Sequence, residues 1–307
     1  MRASPWLPAV CALLCMACGS DEDDGATPTG TSSSSSGAGA SSSSSSAANS
    51  SSTGPGSGGE GGAGAAGGGG NGGVGAATNG DFACIGSVTW PAPAVGTVTI
   101  ELNVTAEVIQ GGAPIEGITV KACAKVDTAC AAPLATAATN ANGQVSIEVP
   151  VTATAGFDGY FELTSPDIPP SLVFVYPPPF EDIPPGSLTV PLIDNNTLGL
   201  LGNLIDLDPA RGHVAVVGLD CTQTEASGLS FASDTADASS SPLYVQNGLP
   251  SLAAEWTDET GVGAIFNVIA GPANLTSTVA STATQAGTIA IFTRPGTFSY
   301  ATLPPTP

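Results

Sequence analysis

Positive charge is scarce in this sequence. Its 307 residues hold five Lys and Arg against 26 Asp and Glu, a formal charge of −21. Proteins that grip nucleic acid neutralise phosphates with clustered cations. After residue 18 the only cations are Lys121, Lys125, Arg211 and Arg294, spread along the chain. That composition excludes nucleic acid as a partner and argues equally against anionic headgroups. Histidine occurs once, as His213. A general base needs a nucleophile and an orienting acid beside it, and nothing around Arg211-Gly212-His213 supplies either. No nucleophile-elbow motif is present, so His213 reads as structural. No apolar run reaches the roughly 20 residues a spanning helix needs. Aromatic residues make up 5% of the chain.

What is present begins at the N-terminus. Arg2 precedes an apolar stretch, Leu7 to Ala17, then Cys18 and the acidic run Asp21-Glu22-Asp23-Asp24. A charged start, a short apolar core and a small residue before the cut have the order of a secretory signal. Ala17-Cys18 resembles the processing site of bacterial lipoproteins, in which the cysteine is acylated. The resemblance implies Cys18 as the lipid attachment residue. Cys15 stands where that family usually has Leu, and a cut at Cys15 is the alternative.

Between about Gly25 and Gly80 the chain is dominated by Ser, Gly and Ala, with runs such as Ser32–Ser36 and Gly67–Gly70. Such composition cannot bury enough surface to offset its ordering entropy, so a disordered tether is expected. A coil of about 60 residues reaches roughly 45 Å.

Four cysteines follow: Cys84, Cys123, Cys130 and Cys221. An even count in an exported chain points to disulfides, and four cysteines allow three pairings. Cys123 and Cys130 flank a short loop and are paired locally, which leaves Cys84 for Cys221. A zinc site is the rival reading, but these four contain no Cys-x-x-Cys pair and only one histidine is available.

Strand signals dominate from residue 82 onward. Val98, Ile100, Leu102, Val104, Ala106 and Val108 alternate with Thr, Glu and Asn, the period of a sheet with one wet face. Further strands are expected at Ile118–Val120, Val145–Val149, Phe157–Leu163, Leu172–Tyr176 and Leu188–Leu192. Pro169-Pro170, Pro177 to Pro179 and Pro184-Pro185 mark strand ends and edges. A helix is expected next, capped by Asn195 or Asn196, carrying Leu198, Leu201 and Ile205, and ended by Pro209. A second β set covers Val214–Leu219, Leu229–Ala232, Ala253–Thr257, Ala264–Val268, Leu275–Val279, Thr288–Phe292 and Phe298–Leu303.

The two sets share a plan. Gly117-Ile118-Thr119-Val120 precedes Thr139-Asn140-Ala141-Asn142-Gly143, as Gly228-Leu229-Ser230-Phe231 precedes Thr257-Asp258-Glu259-Thr260-Gly261. This plan resembles carboxypeptidase-regulatory-like, transthyretin-type sandwich modules over residues 95–165 and 212–282. With the lipid anchor and tether, it resembles surface lipoproteins of myxobacteria. The resemblance implies a scaffold rather than a reaction.

The carboxylates that could pair for hydrolysis are Asp234, Asp237, Glu255, Asp258 and Glu259. Asp258-Glu259 sits in a turn, where capping backbone amides is the simpler role and calcium the alternative. Trp90 and Trp256 could stack sugars, but burial in the core is the expected fate of Trp256.

The expectation is therefore an all-β chain: two tandem immunoglobulin/transthyretin-like β-sandwiches joined by a short helix, behind a signal peptide and tether. The boundaries are 1–17 signal peptide, 18–80 tether, 81–194 first sandwich, 195–210 helical linker and 211–307 second sandwich. No residue is assigned to catalysis, cofactor or metal, and no cofactor is expected. The expected partners are a membrane, through the lipid on Cys18, and a surface protein or polysaccharide. The expected location is the bacterial cell envelope, at the outer membrane or cell surface. The expected role is structural or adhesive and non-catalytic; the alternative is a hydrolytic, carbohydrate-active enzyme.

Overall fold

The computed structural model describes residues 79–90, 92, 95–107, 112–247 and 249–307. The signal, Cys18, nearly all of the tether and Val108 lie outside the described residues.

The described chain is all-β apart from one helix. In order, the first half holds β1 (Gly96–Glu107), β2 (Ala113–Pro114), β3 (Thr119–Ala124), β4 (Ala135–Ala138), β5 (Gln144–Val151), β6 (Gly159–Ser165), β7 (Ile168–Phe174) and β8 (Ile183–Ile193). Helix α1 (Asn195–Leu201) follows. The second half holds β9 (Gly212–Gly218), β10 (Leu229–Ser233), β11 (Ser241–Gln246), β12 (Leu249–Ser251), β13 (Val262–Val268), β14 (Gly271–Val279), β15 (Thr284–Thr293) and β16 (Phe298–Leu303).

Two sandwiches result. In the first, β1 pairs antiparallel with β2 and β5 and parallel with β8, and this sheet faces β4, β3, β6 and β7. In the second, β11, β13, β9 and β16 face a sheet of order β10-β14-β15. The plan recurs strand for strand, since β16 lies parallel beside β9 as β8 lies parallel beside β1.

The repeated motif acts through the same hydrogen bonds in both halves. Thr139 Oγ1 donates to Ile115 O at 2.6 Å and accepts from Ile118 N at 2.9 Å. Thr257 Oγ1 donates to Ala226 O at 2.8 Å and accepts from Leu229 N at 3.1 Å. Gly143 and Gly261 close the following turns at φ 70° and 66°. A Cβ there would stand 2.3 Å from Val104 O and 2.5 Å from Gly218 O, respectively. Only glycine meets both demands, positive φ and close backbone approach.

The sandwiches are not merely strung together. β16 pairs parallel with β9 on one side and with β7 on the other, so a nine-stranded sheet runs through both halves. Its two faces serve different cores. Phe298 and Tyr300 enter the first, and Ala301 and Leu303 enter the second, which is why all six residues of β16 are buried. The first core also takes Leu201 and Ile205 from α1 and its exit.

A buried ionic clamp crosses the same seam. Arg294, in the β15–β16 turn, bonds Glu162 on β6, donates to Tyr160 Oη at 2.8 Å and reaches Thr128 O at 2.7 Å. Lys121 on β3 meets the other oxygen of Glu162 at 2.9 Å. Burial alone would raise the Glu162 pKa, but the Arg294 and Lys121 hydrogen bonds and charges outweigh it and hold it low.

Both disulfides pair as expected, Cys84 with Cys221 and Cys123 with Cys130. Several local expectations are corrected. The helix is capped by Asp194, whose side chain accepts from Thr197 N, and it stops at Gly202, well before Pro209. Residues 253–257 form a loop, and the strand lies at β11 instead. The serine run and Pro242 conceal β11, yet its alternate side chains, Leu243 and Tyr244, serve the two different cores. Pro169-Pro170 sit in the interior strand β7, at the irregularity where its pairing with β6 shifts register. Proline is tolerated there because no ladder donor is required at a bulge.

Candidate functional site

An open cleft of ≈ 390 Å³ lies where the α1–β9 connection, the β10–β11 loop and the end of β13 meet. Arg211 is its centre. The guanidinium is bidentate to Asp237, at 3.0 and 2.9 Å, and donates to Asn267 O at 2.8 Å. Bidentate geometry of this kind fixes orientation as well as charge. The Arg211 bond holds the Asp237 carboxyl below its ordinary range.

Asn267 is the second organiser. It takes φ 53° at an irregularity in the β13–β9 ladder. Its side chain accepts from Asp208 N at 2.9 Å and donates to Asp206 O at 2.8 Å, so it pins the incoming connection. Asn tolerates left-handed backbone because its short polar side chain bonds locally. Ser240 Oγ adds a bond to Asn267 O at 2.9 Å.

The floor is thus locked by bonds among its own groups. By contrast, the Ser239 and Ser241 hydroxyls and the Asp206 carboxylate make no hydrogen bond to another described residue, and they line the opening. Leu204 and Leu252 line it as well and are about half exposed, at 57% and 51%. Apolar lips around orienting polar groups are the usual make-up of a ligand cleft.

His213 stands behind this cleft. It is 4% exposed and packs against Phe266 and Phe298. Its Nδ1 accepts from Asn267 N at 3.3 Å. Burial pushes the imidazole pKa down, which favours the neutral ring. The five singled-out carboxylates do not converge. Asp237 alone enters the cleft, as the partner of Arg211. Asp234 pairs with Asn274 through its backbone N at 2.8 Å and Nδ2 at 2.7 Å. Asp258 caps its turn by accepting from Thr260 N and Oγ1. Glu255 and Glu259 are exposed. Among the described residues no group of three His, Cys, Asp or Glu side chains is placed to hold a metal ion.

Trp256 departs from the expected burial. It is half-buried in a loop and is held by Gln246 Nε2 donating to its carbonyl. Trp90 packs edge-on against Tyr176, with ring centroids 6.0 Å apart. Sequence reading missed the cleft itself. Only Arg211, one of four cations after residue 18, could have drawn attention to it. Its partner Asp237 is 26 residues away, and no local pattern pairs them.

No family model and no curated protein matches the chain. Solved structures with some likeness include the shaft pilin SpaA from Lactobacillus rhamnosus GG. It is 13% identical over 69% of this chain and 99% of that one, at a TM-score of 0.23. The streptococcal ancillary pilin is 15% identical over 69% of this chain and 63% of its own, at 0.22. GBS52, the minor pilin of Streptococcus agalactiae, is 14% identical over 68% and 97%, at 0.19. TM-scores this low carry no function across.

Proposed function

We propose that this chain is a lipid-anchored protein of the bacterial cell envelope whose double sandwich does structural or adhesive work, binding a surface polysaccharide or protein through the Arg211 cleft. The cleft carries the reading. Its polar groups are held in fixed geometry by one another, its outer hydroxyls face solvent, and its carboxylates are scattered or already engaged. That arrangement suits recognition of a hydroxyl-bearing ligand, with little rearrangement needed on binding. The export signal, Cys18 and the Ser/Gly segment support a site held away from a membrane surface.

Two measurements test this reading. Cys18→Ser moves the protein from the membrane fraction to the soluble fraction; retention in the membrane overturns the anchor. On a glycan array and in surface pull-downs, the full chain binds, and Arg211→Ala weakens the binding at least tenfold. Equal binding by the variant removes the cleft from the reading. Release of new reducing ends from a bound polysaccharide would replace adhesion with hydrolysis.

A further inference from the structure

The segment that brings the N-terminal region into the body docks on the second sandwich, although the first follows it in sequence. Asn79 accepts from Ser227 N at 3.0 Å through its side chain and donates its own N–H to Ser227 Oγ at 3.1 Å. Asp81 N donates to Asp220 Oδ2 at 3.0 Å, and Cys221 N donates to Asp81 O at 2.8 Å. Phe82 and Ile85 pack on the second core. The Cys84–Cys221 bridge makes the attachment covalent.

That attachment and the cleft stand at opposite ends of one strand. Cys221 lies three residues beyond the end of β9, and Arg211 immediately precedes its start. Seven residues of strand span about 23 Å. β9 is flanked by β13 on one side and β16 on the other. Ladder hydrogen bonds run across the strands, so a pull along β9 loads both ladders in shear, with many bonds sharing the force. The bridge also closes a loop that contains the whole first sandwich and α1.

The geometry points to a built-in load path. The cleft is the attachment surface, and Cys84–Cys221 wires the N-terminal tether to it along β9. The first sandwich carries no tension. This inference rests on the adhesive reading of the cleft, but its test needs no ligand, so the two stand or fall separately.

The full chain is pulled in a single-molecule force experiment, held by its N-terminus and by a clickable azide side chain replacing the exposed Ala210. With the bridge intact, no event after the tether is taut releases more than about 6 nm before the attachment fails. In the Cys84→Ser/Cys221→Ser protein, residues 79–210 extend, releasing about 45 nm at roughly 3.4 Å per residue. Adding a reductant while pulling the unaltered protein gives the same gain, so the result does not depend on how the double variant folds. Release of about 45 nm with the bridge intact overturns the load path. So does an unchanged extension once the bridge is removed or reduced.

Discussion

Replacing Glu225 by Gln isolates one uncompensated carboxyl. Glu225 follows the Asp220–Thr224 turn and forms an isolated antiparallel bridge with Leu219, so its backbone is fixed at the edge of the second core. Burial pushes its pKa from 4.5 up to about 7, and no cation offsets that burial. Between those two values the folded state keeps a proton that the unfolded state has lost. Stability from this group is therefore fully present below pH 4.5, falls as pH rises, and is gone above pH 7. At about 1.36 kcal/mol per unit the ceiling is near 3 kcal/mol. The side chain is only partly buried and water screens it, so about 1–2 kcal/mol is expected. Glu225→Gln removes the charge at nearly constant shape. Urea midpoints at pH 4, 6 and 8 should show the two proteins equal at pH 4 and the variant more stable by about 1–2 kcal/mol at pH 8. Every other titrating group, His213 included, is common to both and cancels in the difference. Parallel stability curves across that range would refute the reasoning.

Two further outcomes follow from the packing. Arg294→Ala leaves Glu162 buried with Lys121 alone, and about 2–4 kcal/mol of stability should be lost. Loss of under about 0.5 kcal/mol in chemical denaturation would mean the clamp contributes little to joining the sandwiches. Thr139→Val and Thr257→Val each strand the same two backbone groups, and each should cost about 1–3 kcal/mol. A large loss in one and none in the other would break the equivalence of the two halves.

Much of the strand content was legible because one face of most strands is wet. Alternation in β1 and β5, from Val98 to Val149, writes that asymmetry directly into the residue order. β16 was located from its apolar run, but a run buried on both faces does not say which neighbours bury it. β11 was hidden for a related reason, since its consecutive Leu243, Tyr244 and Val245 face two cores and erase the alternation. The cleft was less legible still. Arg211, Asp237 and Asn267 come from three separate segments, and each alone is an ordinary polar residue in a loop or at a strand end.

Residue order alone determined the all-β class, the cysteine pairing and the doubling of the Gly–Thr–Gly plan, because these follow from periodicity, local spacing and turn chemistry. Tertiary structure decided that the two sandwiches share a sheet, that residues 79–85 belong to the second, and that Arg211 opens a cleft at the head of β9. The physical reason is range. Alternation and turns are set by neighbours a few residues apart. Parallel pairing of β16 with both β7 and β9 depends on burying apolar surface across more than a hundred residues of intervening chain.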